Sequence, residues 1–142
     1  MRVRLRPMDR AELPFVLDGF LSSYKHSHFR GLICDEDWWP VMAPQVEKMI
    51  ARDGWGCVVA FDADAQPGAG DLLGFAFGSS EAIGYVYVKQ PFRRSGIARL
   101  LIERGLGVDT SSRFVYCAKT PIVSKLLDKA PMARFDPRAA VS

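Results

Sequence analysis

Residues 85–103, YVYVKQPFRRSGIARLLIE, change period once, and this constrains the fold more than any other stretch of the chain. Tyr85, Val86, Tyr87 and Val88 alternate aromatic and aliphatic side chains, as a strand with two distinct faces does. From Ile97 onward the apolar residues Ile97, Leu100, Leu101 and Ile102 fall at helical spacing. A strand that passes into a helix through a tight turn points successive backbone N–H groups at one spot, and the helix start adds the positive end of its dipole. Gly96 lets a ligand approach the backbone closely, and Ala98 leaves the helix start uncrowded. Arg93, Arg94 and Arg99 add positive charge. The turn therefore reads as a cradle for a diphosphate, with an ordinary strand–helix turn carrying surface arginines as the alternative. It is not a Walker A loop, because the Gly-Lys-Ser/Thr ending is missing, and it is not the Gly-x-Gly-x-x-Gly dinucleotide pattern.

The rest of the chain supplies the frame. With 142 residues, 49% of them apolar, a single domain over residues 1–142 with its own core is expected. The basic start MRVRLRP is not followed by an apolar run, so no leader is expected, and no stretch reaches bilayer-spanning length. Cys34, Cys57 and Cys117 are odd in number and far apart, with no Cys-x-x-Cys pair, and read as reduced thiols of a cytoplasmic protein. Charge is uneven. Residues 1–88 hold 8 Lys and Arg against 12 Asp and Glu, a net −4, and residues 89–142 hold 11 against 4, a net +7. A basic second half suits an anionic partner, nucleic acid included, or simply a solvated basic surface.

Strands are expected over residues 3–7, 56–62, 72–80, 82–88 and 113–118. Asp9 with Glu12 forms a capping-box-like start to a first helix carrying Leu13, Val16, Leu17, Phe20, Leu21 and Tyr24. Residues 25–40 lack a period and read as a loop, with a second helix from about Pro44 to Asp53-Gly54. A third helix follows Gly96 and stops near residues 105–107, and a short fourth is expected over residues 121–130. The order β-α-α-β-β-β-α-β-α gives one α/β (α+β) layer fold, a mostly antiparallel sheet flanked by helices, with a short or absent C-terminal hairpin.

The turn resembles the acetyl-CoA-binding motif of the GNAT superfamily of N-acetyltransferases, Arg/Gln-x-x-Gly-x-Gly/Ala. Arg93, Gly96 and Ala98 fill its fixed places, Val88 fills the apolar strand end, and Leu100 and Leu101 fill the helix positions that follow. The element order matches as well, so the resemblance covers most of the chain. It implies acetyl-CoA as co-substrate, without a metal. It implies that the strand before the turn splays from its neighbour, with Val86, Tyr87 and Val88 meeting the pantetheine arm. The backbone of residues 94–98 (Arg94, Ser95, Gly96, Ile97, Ala98) would hold the diphosphate beside Arg93. The reaction implied is direct attack by a primary amine, on a small molecule or a protein, in a ternary complex, with the thioester oxygen facing a strand N–H such as that of Val88.

The sequence departs from the family beyond the next strand. Thr120 stands where the family has Asn and is kept with the cofactor set; Leu127 stands where the family has the Tyr that protonates the leaving thiolate. Tyr116 and Ser124 are the nearby substitutes. Pro131-Met132 replaces Gly-Phe. Glu81, near the start of the strand before the turn, is the candidate base, though strand parity turns it to the wrong face unless a bulge intervenes. Tyr85 and Tyr87 should share one face, lining the acceptor cleft or packing on a helix. The segment from Tyr24 to Trp39, with His26, His28, three acids and Trp38, reads as an aromatic, acidic acceptor pocket or as tryptophans capping the core. His-x-His finds no third ligand at a recognisable spacing, so no metal is expected. Two other classes fit the residues: a phage-type member that modifies nucleic-acid bases, and a catalytically silent acyl-CoA-binding module. Monomer and homodimer are both compatible with the sequence.

Overall fold

A computed structural model of the chain describes residues 1–25, 35–68, 70–117 and 133–136. They form one six-stranded sheet whose spatial order follows the chain: β1 (Val3–Pro7), β2 (Gly56–Asp62), β3 (Leu72–Gly78), β4 (Ala82–Val88), β5 (Phe114–Tyr116) and β6 (Ala133–Phe135). The first four strands pair antiparallel; β5 lies parallel to β4, and β6 parallel to β5. This is the mixed α/β sheet with helical flanks that the pattern of elements implies.

Helices cover both faces because both faces are apolar. On one side α1 (Leu13–Lys25) and α2 (Asp35–Ile50) bury Val16, Leu17 and Val46 against Cys57, Val59, Phe75, Phe77 and Tyr85. On the other, α3 (Ile97–Leu100), continued by a π-helical turn at Leu101–Gly105, buries Ile97, Leu101 and Ile102 against Ala60, Leu73, Ala76, Ile83, Val86 and Val88. The two clusters explain why β3 reads LLGFAFG with almost no polar residue: a central strand covered on both faces has no solvent side. The approach of α3 to the sheet is close, since a Cβ on Gly105 would stand 3.2 Å from Val58 Cγ1.

The capping box expected at Asp9 and Glu12 is present, opening a 3-10 turn (Arg10–Glu12) that leads into α1. Asp9 Oδ1 accepts from the Ala11 N–H at 3.2 Å, and Glu12 Oε1 accepts from the Asp9 N–H at 2.8 Å. Glu12 also takes a two-pronged ion pair from Arg6, both contacts at 2.6 Å, so the helix start is tied to β1. That hydrogen-bonded guanidinium holds the Glu12 carboxyl below the usual carboxylate range.

The second helix begins at Asp35, not near Pro44, so part of the expected loop is helical. Asp35, Glu36 and Asp37 occupy its first turn, where negative charge suits the helix dipole. Pro40 and Pro44 lie inside it. Their missing N–H groups remove the helical donors to the carbonyls of Glu36 and Pro40, and Glu36, Pro40 and Pro44 are all exposed, where water has access to what the ladder lacks. β6 is a strand that no period announced, because three residues carry none. The helix expected over residues 121–130 lies outside the described residues. Among the described residues, no helix is long and apolar enough to cross a membrane.

Candidate functional site

The site follows from the two edges of β4. Toward β3 the strand is paired along its length, Tyr85 with Phe77, Val86 with Ala76, Tyr87 with Phe75 and Val88 with Gly74. Toward β5 the described pairs are Ala82 with Val115 and Ile83 with Tyr116. The Cys117 N–H donates to the Ile83 carbonyl at 2.9 Å, and Cys117 is the last described residue of this segment. Among the described residues, no strand pairs with residues 84–88 on the side of β4 away from β3.

The hydrogen-bond phase shows which groups point to that side. The Lys89 N–H donates to the Leu73 carbonyl at 2.8 Å, so Lys89 points toward β3. In an antiparallel pair alternate residues point alike. Tyr87 and Tyr85 therefore also spend their backbone groups on β3, and the N–H and C=O of Val86 and Val88 point away from it. Tyr87 thus offers no backbone group on that side. Its ring instead packs on the α1 side, 5.5 Å from Phe75 and 6.4 Å from Phe15 between ring centroids. Tyr85 shares that face, 4.7 Å from Phe20, as the alternation of the two tyrosines implied.

This phase depends on a β-bulge. The register shifts between Phe77 and Gly78, which pair with Tyr85 and Ile83, so Gly84 is the extra residue. Ile83 and Val86, three apart, consequently share the α3 face. Gly84 is required sterically, since a Cβ there would stand 2.6 Å from Trp55 Cζ3 and 2.9 Å from the Phe77 carbonyl oxygen. The bulge was not read from the sequence, although a glycine breaking the alternation AIGYVYV is the signal for one.

From Val88 the chain passes through a 3-10 turn (Gln90–Phe92) to the basic turn. Arg93 is extended, Arg94 adopts φ +64° and Gly96 φ +85°. Among the described residues nothing lies within 4 Å of a Cβ built on Gly96. Its left-handed backbone by itself favours glycine there. The Leu100 N–H donates to the Gly96 carbonyl at 3.0 Å, so the N–H groups just before it, at the start of the helix, have no helical acceptor and face outward. Ser95 Oγ donates to the Phe92 carbonyl and closes the turn on itself.

The three arginines divide. Arg93 Nε–H donates to the Val88 carbonyl at 2.8 Å. Arg99 Nε pairs with Glu103 at 2.9 Å, and Thr110 donates to the same oxygen at 2.9 Å. Those two contacts, Arg99 first, hold the Glu103 carboxyl below its usual range. Arg94 makes no hydrogen bond or ion pair among the described residues and projects from the turn.

The structure thus brings Val86, Val88 and residues 93–98 together. Glu81 is exposed and lies just before β4, where its carbonyl accepts from the Val115 N–H at 3.1 Å. A seven-residue strand places it about 23 Å along the chain from the turn. Tyr116 is buried at the end of β5, in register with Ile83, and its ring lies 5.6 Å from that of Phe135. Tyr24 lies in α1 and Trp38 in α2, with side chains outside the described residues; His26, Thr120 and Ser124 lie outside them altogether. Burial pushes the Cys57 thiol up to about 12 and the Cys117 thiol to about 11, so neither is a thiolate nucleophile near neutral pH. Among the described residues no group of three or more His, Cys, Asp and Glu could hold a metal ion.

No protein-family model matches the sequence, and no curated protein matches it. The fold does have neighbours among solved structures. A Corynebacterium glutamicum protein described as histone acetyltransferase HPA2 and related acetyltransferase is 13% identical, with a TM-score of 0.60 over 91% of this chain and 83% of that one. The PaiA N-acetyltransferase of Thermoplasma acidophilum, solved in complex with coenzyme A, is 13% identical, with a TM-score of 0.52 over 95% of this chain and 79% of that one. A GNAT-family acetyltransferase of Staphylococcus aureus Mu50 is 14% identical, with a TM-score of 0.51 over 72% of this chain. The match spans 63% of the S. aureus chain, less than two thirds of its length. At these identities the likeness is one of fold.

Proposed function

The chain has the fold of the GNAT acetyltransferases, and on that premise we propose that it is an acetyl-CoA-dependent N-acetyltransferase acting on a primary amine of a small molecule or a protein. One observation carries the reading. The side of β4 away from β3 runs straight into the basic turn, so the N–H groups of Val86 and Val88 that β3 does not use lead directly to N–H groups suited to a diphosphate. Acetyl-CoA has that composition, an extended amide-bearing arm joined to a diphosphate, and it would supply the activated acetyl group. A neighbour with this fold is solved with coenzyme A, which supports the same ligand here.

The chain's own part is to bind and orient. Val86 and Val88 would offer N–H groups along the arm, and the N–H of Val88 would face the thioester oxygen as negative charge develops on it. The backbone of residues 94–98 would take the diphosphate. The amine nitrogen forms the new C–N bond, the C–S bond breaks, and one proton leaves the amine while the thiolate takes one up. Tyr116, opposite Ile83 on β5, is our candidate for returning that proton. Glu81, at the far end of β4, would reach the amine through water. No cysteine is needed as a covalent relay.

Calorimetric CoA affinity of the parent and of Gly96→Asp tests the cradle. The substitution places a carboxylate where the diphosphate would sit. The left-handed backbone costs about 1 kcal/mol in stability, and aspartate is among the residues that tolerate it best. Circular dichroism should show a folded protein, and CoA affinity should drop by at least roughly tenfold from steric block and like-charge repulsion. A folded Gly96→Asp that binds CoA like the parent overturns the reading. Turnover with a panel of primary amines then separates an enzyme from a silent acyl-CoA-binding module.

A further inference from the structure

Arg93 is a cation beside a turn suited to a diphosphate, and the simplest role for it would be to meet phosphate. The geometry points elsewhere: we infer that Arg93 is a positioning residue whose Nε–H, rather than its charge, holds the end of β4 at a fixed separation from the basic turn. The inference rests on the acetyl-CoA reading of the site.

The peptide joining Val88 to Lys89 is held from both sides. Its N–H donates to the Leu73 carbonyl of β3 at 2.8 Å, and its C=O, which points away from β3, accepts from Arg93 Nε–H at 2.8 Å. Among the described residues Arg93 is the partner of this carbonyl, as Cys117 is of the Ile83 carbonyl on the same side. The other end of the side chain is anchored too. Its Cζ lies 5.8 Å from the centre of the Tyr87 ring. That ring is fixed in turn, because a Cβ on Gly19 of α1 would stand 2.8 Å from its Cδ1. The side chain therefore ties the first residue of the turn to the last residue of the strand and to the face under α1.

Two consequences follow for a ligand. Along residues 86–88 it would meet two N–H donors, and of the two carbonyls on that side the one of Val88 is already taken by Arg93. The distance between those donors and the diphosphate cradle is also set by a bond, not left to a free hinge. The atom responsible sits four bonds from Cα. Glutamine carries an N–H at the same four bonds, Nε2, without charge. Lysine carries the charge one bond further out and has no N–H at that position.

The test uses two probes, CoA and 3′-phospho-ADP, the latter being CoA without its arm, against the parent and Arg93→Ala, Arg93→Gln and Arg93→Lys. Circular dichroism checks each variant for folding. Arg93→Ala should weaken CoA by roughly tenfold, the loss of one partly buried charge-assisted hydrogen bond. Its affinity for 3′-phospho-ADP should change by less than about threefold, because the cradle itself is intact. Arg93→Gln should recover most of the CoA affinity lost in the alanine variant, and Arg93→Lys should not. Rescue by lysine and not by glutamine overturns the inference in favour of a direct phosphate contact. Equal losses for both probes, no loss for either, or an Arg93→Gln that fails to fold overturns it as well. A parent that binds neither probe instead overturns the acetyl-CoA reading on which the inference rests.

Discussion

Arg94 holds a backbone conformation that suits glycine, with φ +64°, and it makes no hydrogen bond or ion pair among the described residues. A non-glycine residue there costs about 1 kcal/mol, which glycine would remove at the price of a more flexible unfolded chain. Arg94→Gly should therefore raise stability by up to about 1 kcal/mol in chemical denaturation. CoA affinity should change by less than about fivefold, since an exposed charge contributes about 1 kcal/mol or less. A clear loss of stability would show that the arginine is held by a contact and not merely tolerated. The two neighbouring arginines show what a sequence conveys about a site. Both are legible as members of a basic turn. That one is spent on a strand carbonyl and the other projects from the turn is not, because it depends on where β4 ends relative to the turn, a tertiary distance.

Among the elements, the bulge in β4 sets which groups of the strand point away from β3. Were Gly84 to carry a side chain, the clash with the Phe77 carbonyl oxygen could not be relieved by a rotamer change, because that atom belongs to the neighbouring strand. Gly84→Ala should destabilise the protein by about 1–3 kcal/mol, read as a lowered denaturation midpoint. It should also weaken CoA binding in the fraction that folds, since relieving the clash displaces β4 beside Val86 and Val88. An alanine variant as stable as the parent would show that the bulge has room to relax. The strands and the first helix were legible because their periods are strong and their caps standard: Asp9 and Glu12 act as the spacing implies. The second helix was misread at its start because two prolines count against helix locally, whereas on an exposed face water has access to the carbonyls they leave. A splay of β4 from β5 is an expectation of the family resemblance alone, since nothing in a strand's own pattern says where its neighbour leaves it.

For the molecule as a whole, acetyl-CoA would join what the sheet leaves apart, being held by β4 on one side and by the turn before α3 on the other. A ligand bound only by the folded state stabilises it by mass action, about 2.7 kcal/mol at a hundredfold excess over its dissociation constant. Thermal denaturation should therefore shift upward on titration with acetyl-CoA or CoA, and a melting curve unmoved by either would remove the premise of the site.

The sheet also joins two kinds of chain closure. The strands β2, β3 and β4 are sequence neighbours, and only residues 79–81 separate the last two, so their pairing closes short loops. β5 reaches Ala82 and Ile83 only after the whole of α3, so that parallel pairing closes a longer loop at a larger entropic cost. The basic turn lies inside the longer loop, so the residues proposed to hold the diphosphate belong to the segment whose closure costs the most entropy in this half of the sheet.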